Sequence, residues 1–287
     1  MIGEQFDQYL DIGRHESMRP ALEDILMGPL ASPSFTNDLR FRWEDSRRRV
    51  RTVFGGVTIA DSTHVMLLHE AGRLPVFYFP IEDVRMDMME ATQHSTYSPL
   101  KGNASYWTIR GGDRVVENAA WSYLNPVPGG PEIKGYMAFY WDKMDAWFEE
   151  DEQVFAHARD PYKRVDVLPG SRHVRVVLGG EVVADTLHPW LLLETGIIIR
   201  YYIPEQDIRM ELLESTETIT HCPYKGKASY WSVRVGDRIY KDIVWSYRNP
   251  LPACLPIEKL LSFFNERVDA IYVDDERIAV PRTPWSD

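Results

Sequence analysis

Polar and apolar residues alternate along most of the chain with a period of two, as strands with one buried face require. VRVVL (174–178) runs into Gly179-Gly180 and out again as EVVAD (181–185), which predicts a hairpin closed by a Gly-Gly turn. The β-branched and aromatic run IIIRYYI (197–203) predicts a strand that stops at Pro204. KASYWSVRV, Gly-Asp and RIYKDIVWSY (227–247) predict a second hairpin. On its first strand Ala228, Tyr230 and Ser232 share one face, and Ser229, Trp231 and Val233 share the other. Only IEKLLSFF (257–264), after the Pro-rich LPACLP, has helical spacing there. Near the start, MRPALEDILMGPL (18–30) predicts a short helix stopped by Gly-Pro, and RFRWED (40–45) an added strand.

This pattern is written twice. YSPLKGNASYW begins at residue 97 and HCPYKGKASYW at residue 221, and residues 48–151 align with 172–275 at the same offset without a gap. About forty aligned positions are identical, far more than composition alone produces. Two copies are too few for a solenoid, and each is domain-sized. The expected organisation is an N-terminal helical or extended segment (1–47), a first repeat domain (48–155), a linker (156–171) and a second repeat domain (172–280). DPYKRVDVLPGS (160–171) suits a linker by its Pro, Gly and polar residues. The expected fold is mainly β: two tandem domains of antiparallel sheets, each with a short helix near its end.

Composition refines this picture. Of 287 residues, 44% are hydrophobic and 26% charged, a globular balance, and nine Trp with fifteen Tyr favour a β-rich core. A net charge of −11 argues against a protein that tracks nucleic-acid phosphates. The two cysteines, Cys222 and Cys254, form no CxxC pair, and no His cluster has metal-ligand spacing, so neither a metal nor a cofactor is expected. So few cysteines fit a reducing compartment, although a 222–254 disulfide stays open. The N-terminus lacks an apolar signal core and no run is long enough to span a membrane, which predicts a cytoplasmic protein without membrane contact.

VVAD, ETG, YYIPEQDI, THCPYKGKASYW, VWSYRNP and the closing FF…VDAIYVD together resemble the family known as domain of unknown function 427. The resemblance covers nearly all of 160–275 and, more loosely, 38–151. It implies a β-tent-like fold, two antiparallel sheets meeting at an angle around a pocket. Several β-tent relatives hold zinc through Cys pairs, which this sequence lacks; others bind small ligands in aromatic cages. A nucleotidyltransferase label attached to the family finds no Gly-Ser before a DxD-type metal pair, no P-loop and no GxGxxG here. Function belongs to sites rather than folds, so the residues must decide.

His188, after VVADT, is the candidate acid/base, with His64 in the same place of the first unit. Against this stands a His that caps a loop. Glu194 and Glu70, in LLLETG and LLHEAG, would orient the His or anchor a substrate, or simply end a strand. Lys225 and Lys101 precede a Gly that permits close approach, and suit anion binding, or a Schiff base if burial lowers the amine. Tyr230 and Tyr106 would donate to a carbonyl. Cys222 is a candidate nucleophile, but adjacent strand residues face opposite ways, so His221 is poorly placed to activate it. Trp190, Arg200, Tyr202, Tyr224, Trp231 and Trp245 complete the expected ligand-facing set, with His64, Glu70, Lys101 and Tyr106 from the first unit. Asp207 and Arg209, like Asp83 and Arg85, read as structural ion pairs. The first unit replaces His221, Cys222 and Tyr224 by Tyr97, Ser98 and Leu100. Chemistry confined to the second unit would explain that, and so would a pocket shared between units.

The expectation is a protein that binds a small carbonyl-containing organic molecule, acting as a cofactor-independent acid/base enzyme: an isomerase, cyclase, lyase or hydrolase. The alternatives are a non-catalytic aromatic cage and a protein-interaction scaffold; the oligomeric state stays open.

Overall fold

Residues 41–283 and Ser286 are described by a computed structural model. The helix expected at 18–30 lies outside them.

The first unit holds eleven strands: β1 (Phe41–Asp45), β2 (Val50–Phe54), β3 (Val57–Ser62), β4 (Met66–Glu70), β5 (Val76–Pro80), β6 (Met89–Ser98), β7 (Gly102–Gly111), β8 (Arg114–Ser122), β9 (Tyr136–Phe139), β10 (Ala146–Glu149) and β11 (Glu152–Val154). A seven-stranded sheet runs β1-β4-β5-β9-β8-β7-β6, and a four-stranded sheet β11-β10-β2-β3. The second unit repeats them as β12 (Val165–Pro169), β13 (Val174–Leu178), β14 (Glu181–Thr186), β15 (Trp190–Glu194), β16 (Arg200–Ile203), β17 (Leu213–Cys222), β18 (Gly226–Val235), β19 (Arg238–Pro250), β20 (Leu261–Phe263), β21 (Ala270–Val273) and β22 (Glu276–Arg277). Its sheets run β12-β15-β16-β20-β19-β18-β17 and β14-β13-β21-β22. Among the described residues the result is four antiparallel sheets in two similar halves, with no closed barrel.

Alternation sorts side chains onto the two faces of each large sheet. In the second unit Tyr201, Ile203, Trp231, Val233, Val244, Leu261 and Phe263 pack toward the small sheet with Val174, Val176 and Ile271. Leu192, Tyr202, Ala228, Trp245 and Tyr247 gather on the opposite face. The first unit divides in the same way, with Phe77, Phe79, Ile109 and Phe139 on the inner face and Tyr78, Tyr106 and Tyr123 on the outer. Each unit therefore has a dry core between its sheets and an aromatic outer face.

Three expectations change. The added strand RFRWED is present as β1, which pairs with β4 and so belongs to the first unit's large sheet. The stretch expected as a linker carries β12, which pairs with β15 in the matching place of the second unit. Its Pro and Gly end the strand rather than loosen it. Near the unit ends the helices are short 3-10 segments, one turn at Trp141–Lys143 and two at Pro252–Ile257, and most of IEKLLSFF becomes β20 and its flanks. Leu261 and Phe263 alternate into the core while Leu260 and Phe264 pack on the outer face, so the same letters fit a period of two.

The Gly-Gly turn between β2 and β3 is sterically required at only one of its two positions. Gly55 has φ +59°, and a Cβ there would lie 2.5 Å from the Gly111 carbonyl oxygen. Gly56 has φ +74° with open space around it. Gly55→Ala is expected to cost about 3 kcal/mol, the left-handed penalty plus a clash with backbone, and Gly56→Ala about 1 kcal/mol. Urea unfolding of the two variants checks this, and equal losses would contradict it.

Candidate functional site

The outer face of the second unit's large sheet borders a cavity of about 540 Å³, within the usual range for small-molecule sites. Leu192, Tyr202, Tyr230, Trp245, Tyr247 and Phe264 form its apolar and aromatic wall. The segment after β11 supplies Ala156, His157, Asp160 and Lys163, and the β4–β5 loop of the first unit supplies Arg73, Leu74 and Pro75. The cavity thus belongs to the second unit but is closed by the first unit and the connector.

Two residues absent from the first unit hold the connector. Tyr224 Oη accepts a hydrogen bond from Asp160 N at 2.8 Å, and its phenol is pushed up to about 12, chiefly by burial. The His221 ring stacks on Phe155, with centroids 4.6 Å apart and planes at 19°. Arg159 Nε adds a bond to the Pro223 carbonyl at 2.9 Å.

The polar centre consists of Glu194, Lys225, Cys222 and Tyr230. Glu194 ends β15 and its buried carboxylate accepts a short hydrogen bond from Lys225 Nζ. Lys225 also lies against Cys222. Burial pushes the lysine down, but Cys222 and Glu194 more than offset that and hold it above its ordinary value. Lys225 is therefore an ammonium at neutral pH, which removes the Schiff-base role considered for it. Tyr230 Oη shares a hydrogen bond with Thr220 Oγ1 at 2.8 Å, and burial raises its pKa, so the phenol keeps its proton. Burial likewise raises Tyr202 and Tyr247.

Beside the cavity lies a second ion pair. Arg200, which lines the wall, reaches Glu266 through two bonds of 2.6 Å, and both side chains are almost fully buried. Its guanidinium carbon sits 5.3 Å from the Trp245 ring centre and 5.7 Å from that of Phe264. The first unit has Val76 and Asp142 at the matched positions.

Several expected site residues lie elsewhere. His188 is exposed on the β14–β15 turn, outside the cavity wall; its backbone N donates to Thr186 Oγ1, which itself donates to Asp207. His64 repeats this turn with Ser62 and Asp83. His188 therefore lies where it cannot serve this cavity as acid/base: the residue follows a side-chain-capped turn, which duplication copied with the fold. Glu194 cannot orient it, being paired with Lys225. Trp231 faces the dry core, because an odd step along β18 reverses the face. Trp190 packs at the margin of the outer aromatic cluster without lining the cavity. Glu70 and Lys101 form the same short ion pair in the first unit, and Tyr106 Oη meets Thr96 Oγ1 at 2.9 Å, but none of these lines this cavity. Arg209 pairs with Glu181 and Glu211, as a structural residue should.

Sequence reading missed His157, Asp160, Lys163 and Arg73. The density of His, Phe and Tyr in FAHARDPYK was the available signal, unusual for a solvated linker. Among the described residues, no three His, Cys, Asp or Glu side chains gather as a metal site.

Both cysteines are free, and they differ sharply. Cys222 is half-buried and lines the cavity, whereas Cys254 is fully buried and its thiol is pushed up to about 11 by that burial. N-Phenylmaleimide at neutral pH is expected to modify Cys222 and leave Cys254 untouched in the folded chain. Peptide mass spectrometry checks this; equal labelling would show that Cys254 is not sealed.

The fold and cavity define a class: a duplicated β protein whose second unit carries an aromatic pocket completed by the first. The model of the family described as domain of unknown function (DUF427) matches residues 42–150 and again 166–274. The chain belongs to that family, in tandem form. No curated protein matches it. Among the described residues, no helix is long and apolar enough to cross a membrane.

Proposed function

We propose that the second unit's cavity binds a small carbonyl-containing organic molecule and performs acid/base chemistry on it. The observation that carries this reading is the convergence of Glu194, Lys225, Cys222 and Tyr230 on one aromatic-walled space. An apolar body would lie against Trp245, Phe264 and Leu192. Its carbonyl oxygen would meet the Tyr230 phenol and the Lys225 ammonium, both protonated at neutral pH. Donors placed where negative charge develops stabilise an enolate, and Glu194 is the carboxylate at hand to take the proton from the adjacent carbon. Returning that proton to another atom gives an isomerisation; loss of a leaving group instead gives an elimination. Two free thiols support a reducing compartment.

The test is hydrogen exchange. A panel of aryl ketones is incubated with the protein in deuterium oxide, and loss of the proton beside the carbonyl is followed by NMR. Exchange above the protein-free rate, stopped by N-phenylmaleimide on Cys222, is the expected result. Trp245 and Phe264, 4.5 Å apart at 49°, make the corner of a cage, and this favours a purely binding role as the second reading. Ketone binding without exchange would select it. Neither binding nor exchange would sink both.

A further inference from the structure

We infer that the cavity's ligand is an organic anion and that Arg73 of the first unit holds its charge; this rests on the cavity being a ligand site. Among the described residues, the Lys and Arg side chains that line the cavity are already engaged, with one exception. Arg200 is held by Glu266, and Lys225 by Glu194. Lys163 Nζ donates to the Thr195 carbonyl at 2.7 Å. Of the two acids that line the cavity, Glu194 is held by Lys225, and Asp160 accepts from Tyr162 N at 2.8 Å and faces His69 at 3.9 Å. Arg73 lines the cavity with an exposed side chain that makes no hydrogen bond or ion pair among the described residues.

Arg73 is also placed rather than merely loose. Its backbone N donates to the Glu70 carbonyl at 3.0 Å, closing a turn that Gly72 completes at φ +72°. Leu74 and Pro75, next in the chain, touch the same cavity, which fixes the loop over the mouth. At the matched position of the second unit stands Ile197, so that unit's own loop offers no cation. The charge comes across the junction, and the two copies divide the work: the second unit supplies the wall and the proton-handling groups, the first supplies the anion anchor. A net charge of −11 gives anions no general attraction to the chain, so selective anion binding here needs a local cation, which Arg73 supplies. A guanidinium suits a carboxylate, which it can hold through two parallel hydrogen bonds. The substrate class narrows to an aromatic or branched carbonyl acid.

The experiment uses two fluorescent probes on the full chain, anilinonaphthalene sulfonate and its neutral parent phenylnaphthylamine, which differ only by the sulfonate. Wild-type protein is expected to bind the sulfonate more tightly, and N-phenylmaleimide on Cys222 to displace both. Arg73→Glu, on an exposed loop, is expected to weaken the sulfonate about tenfold and leave the neutral parent within about twofold. If Arg73→Glu weakens both probes equally, or neither, the charge-reading role falls while the cavity stands. If blocking Cys222 displaces neither probe from the wild type, the cavity is not a ligand site and the inference falls with it.

Discussion

Glu266→Ala is expected to cost the second unit about 3–5 kcal/mol, the usual penalty for stranding one partner of a buried ion pair. The pair is bidentate and shut off from water, and Glu266 Oε1 also accepts a bond from Thr283 Oγ1 at 2.5 Å. Arg200 would remain between Trp245 and Phe264, almost fully buried, with the long bond to Asn265 Oδ1 at 3.3 Å in place of a carboxylate. For a domain of this size the loss should lower the midpoint by more than about 10 °C. The double variant Arg200→Val with Glu266→Ala should recover much of it, since valine is what the first unit uses there and an apolar replacement removes the stranded charge. Thermal unfolding followed by circular dichroism measures both. A single-variant cost below about 1 kcal/mol would mean the pair is solvated, as surface pairs are.

Glu194→Gln is expected to lower ketone hydrogen exchange by about 10²–10⁴-fold, the range for losing a positioned general base. Glutamine keeps the size of the side chain but cannot take the proton. Probe binding should survive in the folded variant, because the glutamine amide oxygen still accepts from Lys225 Nζ and so does not strand it, and Trp245, Phe264 and Arg73 do not depend on the carboxylate. Lys225→Met should also depress exchange, by removing a donor to the carbonyl oxygen, while Glu194→Asp should keep part of it. Undiminished exchange in Glu194→Gln would move the base elsewhere, with Cys222 the next group to test.

The fold was largely legible because strand alternation is a local property, and the duplication presented it twice. Parity along β18 alone separates Tyr230 from Trp231, and they occupy opposite faces. Parity does not say which face holds the cavity, so the sequence places Trp231 in a site that it backs from behind. IEKLLSFF misled because Ile257, Leu260, Leu261 and Phe264 satisfy helical spacing while Leu261 and Phe263 satisfy a strand. A vacant place between β16 and β19 decided it. β12 was hidden for a different reason: its partner, β15, lies beyond an entire hairpin, and nothing in VDVLP announces a long-range pairing.

The three side chains missing from the first copy turn out to have separate causes. His221 and Tyr224 anchor the connector, a contact that exists only where a connector crosses. All three line the cavity, but only Cys222 lies beside Lys225 at its polar centre. The shared KG-x-ASYW frame carries the ion pair of Lys225 with Glu194, and of Lys101 with Glu70, in both units. His188 and Glu194, equally shared, could not be told apart by sequence: one marks a turn and the other lines the site.

The central claim is that the second unit's cavity holds a carbonyl compound against its polar centre. A crystal structure of the protein soaked with an aryl keto acid tests it most directly. The expected result places the ring against Trp245 and Phe264, with the ketone oxygen within about 2.6–3.2 Å of Tyr230 Oη or Lys225 Nζ. An empty cavity at saturating ligand, or a ligand seated elsewhere on the chain, would contradict it.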